Sequence, residues 1–151
     1  MRLTLTCEEE TIVLGMRLGR KLKPGVVVLL RGELGAGKTT LARGLARGAG
    51  YRGRVSSPTF ALAHVYRGRR LTLHHLDLYR VARGDGSELG LDEILSDPRG
   101  AVIVEWPDAA GGIWPKDRLE VTLSHVPIGR CVVIKATGPR ARALQSSKIR
   151  G

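Results

Sequence analysis

Five apolar residues, Val26 to Leu30, lead through Arg31 into Gly32-Glu33-Leu34-Gly35-Ala36-Gly37-Lys38-Thr39, and this junction constrains the fold of the 151-residue chain more than any other feature. A short, β-branched run without polar alternation reads as a strand covered on both faces, as in a parallel sheet. The octapeptide after it matches G-x-x-x-x-G-K-[S/T] at every fixed position. Glycines let such a loop wrap with positive φ and leave no Cβ between backbone N–H groups and a bound oxyanion. Those N–H groups and the N-terminus of a following helix form an anion site. The motif therefore requires a strand before it and a helix after it. The helix is expected from about Lys38 to Ala49, closed by Gly50.

The residues of the loop then divide the work of holding a nucleotide triphosphate. Glu33, Leu34, Gly35, Ala36 and Gly37 offer backbone, and Lys38 offers a mobile cation for the β- and γ-phosphates. The Thr39 hydroxyl can ligate magnesium, and Thr40 is placed to reach the α-phosphate. Guanine-specific proteins of this kind read the base with Asn-Lys-x-Asp, and the chain has no Asn at all. Asp77-Leu78-Tyr79-Arg80 and Asp92-Glu93-Ile94-Leu95 both lack the glycine of Asp-x-x-Gly. ATP is favoured over GTP on those absences. Magnesium also needs a carboxylate at the end of a neighbouring buried strand. Glu105 follows Ala101-Val102-Ile103-Val104 and is the better candidate; Asp77 follows Leu71 to Leu76 and is the second.

The remaining elements are read around that centre. Thr6-Cys7-Glu8-Glu9 has the form of a capping box, opening a helix that carries Ile12, Leu14, Met16, Leu18 and Leu22 and stops before Pro24-Gly25. Thr59 to Tyr66 and Leu71 to Leu76 flank Arg67-Gly68-Arg69 as a hairpin, and Ser87 caps a short helix through Leu95. Leu119 to Leu123 and Cys131 to Lys135 read as strands. The order argues for a three-layer α/β domain of the P-loop NTPase kind, with a mixed, partly parallel sheet and antiparallel strands in its second half. One domain is expected over residues 1–138. The tail 139–151 carries Arg140, Arg142, Lys148 and Arg150 with no acid and is expected to be disordered.

Composition adds boundaries. A formal net charge of +11 suits a polyanionic partner, although the arginines are scattered and also fit a chain that prefers Arg at exposed positions. Cys7 and Cys131 match no CxxC or zinc spacing, and the four histidines show no ligand spacing. No apolar run follows Met1 as in a signal peptide, and Val26 to Leu30 is too short to cross a bilayer. A cytoplasmic protein without membrane contact is expected.

Four segments in order resemble one family: Gly32 to Ala46, Ser57-Pro58-Thr59-Phe60, His75-Leu76-Asp77-Leu78-Tyr79-Arg80 and Val104-Glu105-Trp106. They look like TsaE (also called YjeE), the bacterial ATPase of tRNA threonylcarbamoyladenosine biosynthesis. The likeness runs from Glu9-Glu10-Thr11 to about Gly138. It implies weak ATP hydrolysis by the protein alone and work on a complex of TsaB and TsaD. TsaD transfers the threonylcarbamoyl group to adenosine 37 of ANN-decoding tRNAs, and the ATP cycle would support repeated turnover. The likeness further implies Lys38 and Thr39 as phosphate and magnesium ligands and Glu105 as the acid at the metal. Asp77 would orient or deprotonate the attacking water. Thr59 falls in a switch-like segment, Trp106 flanks the metal acid, Tyr79 and Arg80 close the third motif, and Glu10 and Thr11 match a segment near the base. His75 belongs to the motif and so stands apart from the other histidines. Ile113-Trp114-Pro115 departs from the family's usual Leu-Pro, a change of packing. The basic tail would contact tRNA or TsaD weakly, with tRNA otherwise an indirect partner.

Two rivals remain. A small-molecule P-loop kinase would need a lid, and Arg67, Arg69, Arg70 and Arg80 could clamp a phosphate, but Gly50 to Thr59 is too short for an inserted substrate domain. A nucleotide-gated binding module would have no use for two strand-end acids.

Overall fold

The computed structural model describes residues 1–56, 62–81 and 89–146. In chain order the elements are β1 (Arg2–Leu5), α1 (Glu8–Lys21), β2 (Val27–Arg31), α2 (Lys38–Gly48), β3 (Ala63–Arg67), β4 (Thr72–Asp77), α3 (Leu91–Leu95), β5 (Gly100–Glu105), a 3-10 turn (Pro107–Ala110), β6 (Leu119–His125), β7 (Arg130–Ala136) and α4 (Pro139–Gln145). The strands form one seven-stranded sheet in the order β1-β7-β6-β2-β5-β4-β3. β2 runs parallel to both β5 and β6, and β4 runs parallel to β5. Antiparallel pairs close both edges, β3 with β4 on one side and β7 with β6 and β1 on the other.

The expected three-layer α/β class with a mixed sheet is what is found. The non-alternating run in β2 has a plain cause, because both faces of the strand are covered. Val28 and Leu30 meet Leu14, Leu18, Leu41 and Leu45 of α1 and α2. Val27 and Leu29 meet Leu76, Leu91, Val104 and Trp114 on the opposite face. Each such side chain contributes about 1.5–3 kcal/mol by leaving water. Truncating Leu29 or Leu30 to Ala should cost about 2–5 kcal/mol once the cavity is counted.

The packing of α1 on α2 rests on glycines. A Cβ on Gly15 would stand 2.6 Å from the Leu41 carbonyl oxygen, and one on Gly44 would stand 2.4 Å from that of Ile12. One turn further, Gly19 and Gly48 meet the Leu45 and Met16 carbonyls in the same way. The two backbones touch, so any side chain there must push the helices apart.

Four expectations need correction. Antiparallel strands are not confined to the second half: β1, unassigned in the sequence, pairs with β7 at one edge. It is only four residues long, with one buried side chain, too little pattern to detect. The helix start is framed one residue later than the capping box proposed. Cys7 is the N-cap, and Glu10, not Glu9, reaches back to the Thr6 N–H at 2.6 Å and the Thr6 hydroxyl at 3.1 Å. The short helix before β5 starts at Leu91 after Gly90, and the expected cap Ser87 lies outside the described residues.

The tail is not disordered over its first half. Pro139 takes the first helical position of α4, the Asp117 carboxylate accepts the N–H groups of Arg140 and Ala141 at 3.1 and 3.0 Å, and Ala141 and Leu144 are buried. Its charge hid a one-turn apolar spacing and a capping acid more than twenty residues upstream. Lys148 and Arg150 lie outside the described residues. Trp114 is buried and donates its indole N–H to the Pro107 carbonyl at 2.9 Å, the packing change that Ile113-Trp114-Pro115 implied. No described helix is long and apolar enough to cross a membrane.

Candidate active site

Because β2, β5 and β4 run parallel, their carboxyl ends open on one edge, the usual place for a ligand in an open α/β sheet. β2 delivers the loop Gly32–Gly37 there, β5 delivers Glu105 and β4 delivers Asp77; Leu30 pairs with Glu105 and Glu105 with Asp77 in the strand register. A pocket of about 740 Å³ lies over these ends. The loop enters α2 through Gly37 at φ 105°, a backbone that a side chain would strain.

Lys38 points back into the loop. Its side chain is buried, with Nζ donating to the Gly32 and Glu33 carbonyls at 2.7 and 2.8 Å. Nζ also lies 4.4 Å from the centre of the Trp106 ring. Burial pulls the ammonium pKa below 10.5, while the carboxylates of Glu105 and Asp77 push it the other way. Thr39 donates its hydroxyl to Glu105 Oε1 at 3.0 Å. Glu105 is 2% exposed, so its charge requires partners. The second oxygen, Oε2, lies 2.7 Å from His75 Nε2. Asp77 is half-buried beside it, and its Oδ1 accepts the Tyr79 N–H at 3.0 Å.

Trp106 is the sole described non-glycine residue with positive φ, at 58°. An aromatic residue held in this region costs about 1–2 kcal/mol. The strain turns the chain out of β5 and lays the ring over Lys38 and against Tyr79, ring centres 4.9 Å apart. Arg31, at the end of β2, secures the turn that follows through Asp108 at 3.1 Å.

The pocket brings together Thr11, Leu34, Gly35, Gly37, Lys38, Thr39, Thr40, Asp77, Tyr79, Arg80, Glu105 and Trp106. Three expected residues do not line it. The Glu10 carboxylate is turned to Thr6, Glu33 is exposed, and Ala36 is buried beneath the loop. Thr59 lies outside the described residues. Sequence reasoning missed Thr6, Cys7, Glu8, Leu62, Gly129 and Arg130. Arg130 matters most. Its guanidinium holds the loop by donating to Ala36 O at 2.9 Å and Gly35 O at 3.4 Å, from a position 94 residues away from Ala36. No spacing rule could have found it.

Among the described residues no group of three or more His, Cys, Asp and Glu could hold a metal ion. Magnesium does not need one, since it binds through one or two protein oxygens, phosphates and water. The Thr39 hydroxyl touching a buried carboxylate at the mouth of the loop fits that demand, and both groups are hard oxygen donors.

The family model for the threonylcarbamoyl adenosine biosynthesis protein TsaE matches residues 5–131, from the end of β1 to the start of β7. The chain belongs to the TsaE family. It is 45% identical to the TsaE of Streptomyces coelicolor over 116 residues, covering 74% of this chain and 77% of that protein. Identity to the Bacillus subtilis TsaE is 38%, with 78% of this chain and 73% of that protein covered. The crystal structure of Bacillus subtilis YdiB superposes with a TM-score of 0.83 at 32% identity, covering 96% of this chain and 90% of the other. The resemblance read from the four motifs is thereby borne out. TsaE membership places the chain in tRNA threonylcarbamoyladenosine biosynthesis, and the matched range contains every residue of the pocket.

Proposed function

We propose that the protein is a magnesium-dependent ATPase of threonylcarbamoyladenosine formation, active with the TsaB–TsaD pair. The observation that carries this reading is the contact of Thr39 with buried Glu105 at the mouth of the loop, with Asp77 on the adjacent strand. Thr39 and Glu105 would hold magnesium, which neutralises charge on the β- and γ-phosphate oxygens. The loop glycines and Thr40 would bind phosphate oxygens. Lys38 would exchange its two carbonyl partners for the terminal phosphates, and the Trp106 ring would keep its ammonium from water. Asp77 would orient or take the proton of the attacking water. ADP would be the nucleotide product, and tRNA an indirect or weak contact.

The kinase alternative keeps only Arg80 of its four clamp arginines at the pocket. Arg67, Arg69 and Arg70 do not line the pocket, and the Arg70 guanidinium donates to the Leu22 and Gly19 carbonyls. The test is steady-state ATP hydrolysis with magnesium, with and without the cognate TsaB–TsaD pair. Strong stimulation that disappears in Lys38→Ala supports the reading. Unchanged hydrolysis with intact ATP binding overturns the coupling.

A further inference from the structure

One oxygen of Glu105 faces Thr39, and the other faces a buried line of polar groups that the reaction does not use. His75 Nε2 lies 2.7 Å from Glu105 Oε2, and Tyr66 Oη lies 3.2 Å from His75 Nδ1. Tyr66 in turn donates to the Ser56 carbonyl at 3.2 Å. His75 is fully buried and Tyr66 nearly so. The line crosses three neighbouring strands, β5, β4 and β3, and the Tyr51 ring backs its middle at 4.8 Å from the Tyr66 ring centre. On β4, His75 and Asp77 share a face because side chains alternate. One histidine of the motif therefore supports the neighbouring acid from behind, while the aspartate two residues on stands at the pocket.

A buried histidine is most simply a core residue, and a core residue would need no partner chosen at this acid. We infer that His75, backed by Tyr66, is a positioning residue that fixes the Glu105 carboxylate for the magnesium ion, so that metal affinity depends on it while nucleotide affinity does not. The inference rests on the magnesium–ATP reading above. A carboxylate held at Oε2 presents Oε1 toward Thr39 in one orientation. Without that hold it can rotate, and one of its oxygens is left buried without a partner. Groups that orient a metal-binding carboxylate change metal affinity by about 10–100-fold when removed.

The test uses Mn2+ as a spectroscopic stand-in for magnesium. Its binding is followed by electron paramagnetic resonance in the presence of a non-hydrolysable ATP analogue, and binding of the same analogue is measured in EDTA. His75→Leu should weaken Mn2+ by about 10–100-fold and leave metal-free analogue binding unchanged. His75→Gln, whose amide can donate from nearly the place of Nε2, should recover most of the loss. Tyr66→Phe, which removes only the hydroxyl and keeps the ring, should show a smaller loss of the same kind.

Wild-type Mn2+ affinity in all three variants overturns the inference and leaves the magnesium–ATP reading standing. Equal loss of metal-free analogue binding in the Leu and Gln variants makes His75 merely structural, and also overturns it. Absence of metal-dependent binding in the wild type removes both.

Discussion

One set of pocket residues, Lys38, Thr39 and Glu105, is tied to the loop or to each other by hydrogen bonds of 2.7 to 3.0 Å. A second set of pocket residues comes from the start of α1 (Thr6, Cys7, Glu8 and Thr11) and from the turn into β7 (Gly129 and Arg130), with Arg130 holding the same loop through the Ala36 carbonyl. Cys7 and Glu8 are exposed, and the helix start is held by the Thr6–Glu10 contact at the surface. The first set is largely buried and preorganised, which is what charge stabilisation in a reaction demands. Apart from buried Thr11, the second set is exposed or half-buried, suited to binding and to adjustment. Losses at Lys38 and Glu105 should therefore reach the chemical step, and losses at Arg130 should reach binding alone.

The largest effect that would break this division is at Lys38. Lys38→Ala should lower hydrolysis by about a hundredfold or more, the scale for losing one preorganised donor to developing charge. Near-normal turnover at saturating ATP would move the chemistry elsewhere. Next comes Glu105→Gln, which keeps the shape but removes the charge; magnesium dependence of hydrolysis should shift to concentrations about tenfold higher or more. A magnesium titration of the rate reads it directly. Smaller is Arg130→Ala, which frees the Ala36 and Gly35 carbonyls. ATP affinity should fall by about fivefold, near 1 kcal/mol for a net hydrogen bond, with kcat preserved. A fall in kcat with unchanged KM would erase the distinction between the two sets.

The smallest effect is acid sensitivity of the α1 start. The Thr6 backbone N–H first, and its hydroxyl second, hold the Glu10 carboxyl below 4.5. Stability from a depressed carboxyl is complete above its ordinary value and disappears as pH falls through the folded one. Exchange protection of the Thr6 amide should thus drop below about pH 4.5 in the wild type and be pH-independent in Glu10→Gln. A loss that persists in the variant would assign the acid sensitivity to another group.

The same division explains what was legible beforehand. The loop, its flanking strand and its helix are contiguous, and the chemistry dictates the residues, so Lys38 and Thr39 were readable. Glu105 was readable because a buried apolar run ends on it, and Asp77 because it follows the strand-like segment Leu71 to Leu76. Arg130, Gly129 and Thr6 were not, since tertiary packing alone brings them to the pocket. The α1–α2 contact hides in four glycines whose pairing no period reports, and α4 hides under its arginines. His75 was legible only as a member of a motif; its contact with Glu105 needed the strand register.

The proposed activity requires one pocket that holds magnesium–ATP with its phosphates toward Lys38 and Glu105. Isothermal titration of ATP into wild type and Glu105→Gln, with and without magnesium, tests this most directly. Magnesium should tighten ATP binding to the wild type and have little effect on the variant, with metal-free binding alike in both. Equal tightening in both proteins, or no ATP binding to the wild type, would contradict it.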